Sequence, residues 1–142
     1  MSSHEWYSTM YGIELPNAKL KGEKAFAFIQ NHKKELSDED ELPATHEEAI
    51  EFIDQFFDCN ENEQGAAALI AEVAGSPIYA ASDQYGYQYV GIYALSRFPW
   101  DKAPEDWQTM TIEKVENAIR PLVEDLYGAC PEFGEQIIWM YG

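Results

Sequence analysis

From Glu35 to Ser96 the chain carries no lysine or arginine, yet between Glu35 and Asp83 it holds fourteen aspartates and glutamates. Carboxylates are almost never buried unless paired. Any helix formed in this run must therefore turn one face to water and bury the other. Five of the nine basic residues, Lys19, Lys21, Lys24, Lys33 and Lys34, crowd just ahead of the run. An acidic protein ordinarily intersperses lysines for local pairing; here the signs are segregated. The densest part is residues 37 to 63, SDEDELPATHEEAIEFIDQFFDCNENE. It invites four readings: a metal site, a catalytic cluster, a solvated helix, or a surface built to meet something basic.

The periodicities predict an α+β fold. Residues 5 to 15, EWYSTMYGIEL, are rich in strand formers, with Gly12 a candidate bulge. Residues 18 to 36 have a helical apolar stripe through Leu20, Phe28 and Ile29, weakened at Gly22. SDEDELPA is a charged linker broken by Pro43. Thr45 and Glu48 then form a capping box. The helix it opens is predicted to run to about Cys59, burying Ala49, Ile50, Ile53, Phe56 and Phe57. A short helix follows over residues 64 to 74. PIYAASDQYGYQYVGIYALS predicts a hairpin, with strands near 78 to 82 and 86 to 95 and a turn at Asp83-Gln84. RFPWDKAPEDW is a loop. Residues 111 to 127 predict a helix with Pro121 inside it, a point where it would kink or divide. Residues 135 to 141 predict a last strand. The sum is one domain over residues 1 to 142: about four helices packed on a small, mostly antiparallel sheet of about four strands.

Composition narrows the function. The net charge is −17, while 46% of residues are hydrophobic and 14% aromatic, too many for a disordered chain. Such a field repels nucleic acid and anionic membranes and speeds encounter with basic proteins. Direct nucleic-acid binding, which replaces counterions with lysines and arginines, is not expected. No run approaches the roughly 20 apolar residues of a membrane span. The opening MSSHEWYSTMYG has neither the basic nor the apolar region of a signal peptide, so the expected location is the cytoplasm of the producing or host cell. Cys59 and Cys130 stand far apart. That fits two reduced thiols or one disulfide, and fits neither a disulfide framework nor a cysteine zinc site.

The chemistry-bearing patterns are weak. Asp58, Asn60 and Asn62 begin like a calcium loop, but Glu63 stands where glycine is needed and Leu69 where the closing glutamate is needed. Starting at Asn60 places Gly65 well and then fails at Ala71. His4, His32 and His46 lie in separate segments. Glu72, within LIAEVAG, is the carboxylate most surrounded by apolar sequence, the setting that raises a catalytic pKa. The reading as an ordinary helix-surface glutamate is the stronger one. No nucleophile elbow or phosphate loop is present. No catalytic residue, cofactor or metal ligand is expected.

Two surfaces remain. On the predicted 46 to 59 helix, Glu47, Glu51, Asp54 and Asp58 recur at i, i+4, i+7 and i+11 on the face opposite the phenylalanines. They are spaced roughly 5 Å apart along the axis. Like charges at this spacing repel by a few tenths of a kcal/mol per pair. A sequence shaped by stability alone would place lysines between them. Because duplex DNA carries a charge about every 1.7 Å, a phosphate mimic also needs Asp38, Glu39, Asp40, Glu41, Glu61 and Glu63. The second surface is the tyrosine run Tyr85, Tyr87, Tyr89 and Tyr93. It would either lie under the helices or offer exposed anchors to a protein partner.

Size, charge layout, the absence of a catalytic motif, and the opening EWYSTMYGI and closing IIWMYG resemble small acidic proteins of phages and mobile elements, including anti-CRISPR and other anti-defence inhibitors. Those families share no fold, so the resemblance transfers no residue. It implies an inhibitor that occupies the basic nucleic-acid-binding surface of a partner such as a guide-RNA-dependent nuclease. The expected contacts are the acidic residues named above with Tyr85, Tyr87 and Tyr89. The competing classes are an immunity protein that neutralises a basic toxin, a carboxylate-based metal-dependent enzyme, and a phage assembly protein.

Overall fold

The computed structural model describes residues 5–36, 42–58, 63–93 and 111–141. Its centre is β1 (Glu5–Glu14), which pairs antiparallel with two strands far away in sequence. On one side lies β5 (Gln88–Tyr93), itself paired with β4 (Tyr79–Ser82). On the other lies β6 (Gly134–Tyr141). The order across the sheet is β4-β5-β1-β6, and every pairing is antiparallel. Four helices, α1 (Gly22–Asn31), α2 (His46–Gln55), α3 (Ala66–Ala74) and α4 (Ile112–Tyr127), complete a single α+β domain. Two-residue strands β2 (Phe57–Asp58) and β3 (Glu63–Gln64) form a separate small ladder.

The main core lies between the helices and one face of the sheet. Ile13, Val90 and Ile92 from the strands meet Phe28, Ile29, Ile53, Leu69, Ile70, Ile119 and Val123 from the helices. The helical period of 3.6 explains why these positions converge. α3 is buried over Ala66–Ala71, so its sequence is apolar all round. α4 passes through Pro121 without dividing.

The opposite face of the sheet is also closed. Met10, Ala81, Tyr89 and Ile138 form a second small core there. The sheet curls enough for its two edges to meet: the backbone N–H of Gln84, just past β4, donates to the carbonyl of Trp139 on β6 at 2.9 Å. A pair of glycines permits the curl, since Gly12 faces Gly91 on β5 with no room for a side-chain carbon at either position. The ladder on both sides of Gly12 is unbroken, so this glycine marks a close approach of strands rather than the expected bulge.

Several predicted boundaries shift for local reasons. The first helix begins at Gly22 rather than residue 18, because the backbone is still extended at Lys21, with ψ of 135°. It ends at Asn31, and residues 32–36 form turns that bury Leu36. α2 stops at Gln55 rather than Cys59, since Phe56 is already extended and residues 57 and 58 enter the small ladder. Phe57 thereby leaves the helical period and is 40% exposed, against the expectation that it packs inside. Gln64 belongs to β3, and Gly65, with φ of 93°, opens α3. β5 starts at Gln88 rather than residue 86. Residues 94 and 95, and the predicted loop RFPWDKAPEDW, lie outside the described residues.

Candidate functional site: the acidic face and its cleft

The acidic helix starts at its Thr45 cap, with the returning bond of Glu48 shifted one residue back to Ala44. Thr45 Oγ1 accepts the N–H of Glu48 at 3.1 Å, and Glu48 Oε2 accepts the N–H of Ala44 at 2.9 Å. Ala49, Ile53 and Phe56 anchor the inner side, with the Phe52 ring tilted against Phe56 at 5.6 Å between centroids. Glu47, Glu51 and Asp54 are exposed. Asp58 does not continue their stripe: it sits on β2, opposite Glu63 of β3. The helical series of four carboxylates is therefore a series of three. Asp38, Glu39, Asp40, Glu41, Glu61 and Cys59 lie outside the described residues.

Glu116 pairs with Arg120 at 2.9 Å, and His32 Nδ1 lies 3.8 Å from Glu35, an ion pair only when the imidazole is protonated. Neither joins the lysine cluster to the acidic helix, so the segregation of sign seen in the sequence survives folding. Lys24 instead brings its ammonium beside the end of α4, 3.3 Å from where a Cβ on Gly128 would stand. A cation there complements the carbonyl end of the helix.

The tyrosine run divides. Asp83 is the cause: its Oδ1 accepts the N–H groups of Tyr85 at 2.9 Å and Tyr87 at 3.0 Å, and its Oδ2 accepts the Tyr89 hydroxyl at 3.0 Å. This shapes a turn in which Tyr85 is 71% and Tyr87 47% exposed. Tyr89 is turned into the second core with 6% of its surface exposed, so it is closed to a partner, contrary to expectation. Burial, reinforced by Asp83, raises its pKa above the usual tyrosine range. The expectation that Tyr89 lies under the helices also fails, because Val90 and Ile92 take those places.

One cleft joins the two surfaces. It holds about 270 Å³ and lies between the β1–α1 connection, the last turns of α2, the β4–β5 turn and the end of α4. Asp54 comes to it from the acidic helix and Tyr87 from the hairpin. Sequence reasoning missed its other polar members, Asn17, Lys19, Gln88 and Tyr127. Tyr127 follows Leu126 on the α4 stripe, the one signal that could have placed it near the core. Burial first, and the negative charge of Asp54 second, push the Tyr127 hydroxyl up to about 12.

Other candidates disperse. Among the described residues no three histidine, cysteine, aspartate or glutamate side chains come together as metal ligands would. Glu72 is exposed on α3 despite its apolar neighbours in sequence. Cys130 is a free thiol, raised in pKa by burial, and lies 3.4 Å from the Pro131 carbonyl. Tyr7, Ile137 and Trp139 expose an apolar patch on the β1–β6 pair, with the Tyr7 and Trp139 rings 5.1 Å apart. Among the described residues no helix is long and apolar enough to cross a membrane. No protein-family model, curated protein or solved structure matches the chain.

Proposed function

We propose that this protein is a non-enzymatic binding protein whose acidic face docks on the basic, nucleic-acid-binding surface of a partner protein and so excludes nucleic acid. It would act in the cytoplasm of the producing or host cell, as an inhibitor of the anti-defence kind carried by phages and mobile elements. The reading rests mainly on one observation: Glu47, Glu51 and Asp54 are exposed on α2 and make no ion pair with any described residue. Their mutual repulsion contributes nothing to folding. It favours encounter with a surface rich in lysine and arginine. Tyr87, which lines the cleft with Asp54, and the exposed Tyr85 two residues before it would serve as aromatic anchors.

The test is capture from host lysate with the purified protein as bait, at low salt and at roughly 0.5 M salt, where the Debye length falls to a few Å. A single basic nucleic-acid-binding protein, recovered at low salt and weakened at high salt, is the expected result. Equal recovery of that protein by a variant with Glu47, Glu51 and Asp54 all changed to lysine would refute the proposal.

A further inference from the structure

We infer that the cleft shared by Asp54, Tyr87 and Tyr127 receives an arginine side chain from the basic partner. This rests on the function proposed above and says where on the acidic face the partner is anchored. The cleft's volume, about 270 Å³, falls just below the roughly 300–1,000 Å³ of small-molecule sites, so it suits one long side chain better than a cofactor. Leu20 and Ile50 supply an apolar wall for an aliphatic stem. The half-exposed ring of Tyr87 offers a face on which a guanidinium can stack. Asp54 supplies two carboxylate oxygens, which match the paired donors of arginine. It sits in the last turn of α2, where no basic residue offsets the carbonyl end of the helix. The Tyr127 hydroxyl keeps its proton well past neutral pH, so it adds a neutral acceptor rather than a second charge.

Two features of the cleft favour an anion, and they set the sign of the test. Ala66, at the start of α3, also lines it, but the neighbouring N–H of Ala67 is already taken by Gln88 Oε1 at 3.0 Å. Lys19 is exposed at the cleft and opposes an incoming cation. Removing its charge should therefore tighten an arginine and loosen an anion.

The probe is N-acetyl-arginine-amide, with the isosteric but uncharged N-acetyl-citrulline-amide as control, followed by amide NMR titration of the whole chain. Arginine-selective shifts focused on residues around Asp54, Ala66, Tyr87 and Tyr127 are expected. Asp54→Asn should weaken the probe by about fivefold, as loss of a favourable exposed ion pair does, and Lys19→Ala should strengthen it by about twofold. Both side chains line an open cleft, so an unchanged melting temperature checks that the variants fold. Equal shifts with citrulline, shifts spread along Glu47 and Glu51 without focus on the cleft, or weakening by Lys19→Ala would overturn the inference. With the captured partner in hand the two proposals separate. Binding lost on reversing Glu47 and Glu51, but kept in Asp54→Asn with Tyr87→Ala, keeps the proposed function and overturns the arginine cleft. Arginine-selective shifts with no partner captured do the reverse.

Discussion

Gly12 stands directly across the β1–β5 ladder from Gly91, and neither position has room for a side-chain carbon. A Cβ on Gly12 would collide with the Val90 carbonyl and lie 2.7 Å from the Gly91 Cα; one on Gly91 would collide with the Tyr11 carbonyl. Both obstacles are backbone, so no rotamer change relieves them. Gly12→Ala and Gly91→Ala should each destabilise by about 2–3 kcal/mol or more, the upper range of overpacking. Gly134, on the other side of Gly12, has nothing within 4 Å of its Cβ position. Gly134→Ala should stay within about 0.5 kcal/mol of the parent. Urea unfolding of the three variants checks the ranking, and a costly Gly134→Ala would contradict this account of the curl.

Asp83 accepts three hydrogen bonds around one turn, two of them from backbone N–H groups. Asp83→Ala removes all three acceptor contacts at an exposed to half-buried turn. A loss of about 1–2 kcal/mol is expected, since water replaces part of each hydrogen bond. Tyr89→Phe removes donor and need together and should cost less. Thermal melts of both variants decide, and the order reversed would show that Asp83 does not organise the turn.

The Tyr127 hydroxyl, at about 12, ionises later in the folded protein than the usual value near 10 in an unfolded chain. The folded state then binds more protons than the unfolded state as pH rises from 10 toward 12. Stability is accordingly full below pH 10 and declines through that window. Tyr89 and Tyr11, also raised by burial, act in the same direction. Ultraviolet titration should show Tyr127→Phe losing one late-ionising phenol. Asp54→Asn should move that phenol to lower pH, because it removes the second cause of the shift. A late phenol unmoved in Asp54→Asn would mean that the carboxylate does not reach it.

Changing Glu47, Glu51 and Asp54 together to lysine should abolish partner capture and leave stability within about 1 kcal/mol. Two small effects oppose each other. A lysine at position 47 meets the N-terminal end of α2 unfavourably, at about 0.3–1 kcal/mol, whereas one at 54 suits its C-terminal end. Circular dichroism melts beside capture measurements separate folding from binding, and a large fall in melting temperature would assign these carboxylates a structural role.

The sequence made some elements plain. Thr45 and Glu48 announce the start of α2, and Ile119, Leu122, Val123 and Leu126 announce the buried side of α4, because caps and helical periodicity are local. The class of fold and the outward turn of Glu47, Glu51 and Asp54 follow from the same local rules. The end of α2 was not legible, since Phe56 and Phe57 continue an apolar run that a helix or a strand can use. The fates of Tyr85, Tyr87 and Tyr89 were hidden for a different reason. Alternation along a strand says which residues share a face but not which face meets the helices.

The sequence by itself thus determined a charge-segregated α+β chain with one acidic helix face, because charge and period are properties of neighbours along the chain. Tertiary structure decided the rest. The curl at Gly12 and Gly91 brings Gln84 to Trp139 and gives the sheet a second interior in which Tyr89 is lost to partners. The packing of α2 and α4 near the hairpin sets Asp54, Tyr87 and Tyr127, far apart in sequence, around one cleft. Such meetings depend on the direction and curvature of elements many residues apart, which no local pattern encodes.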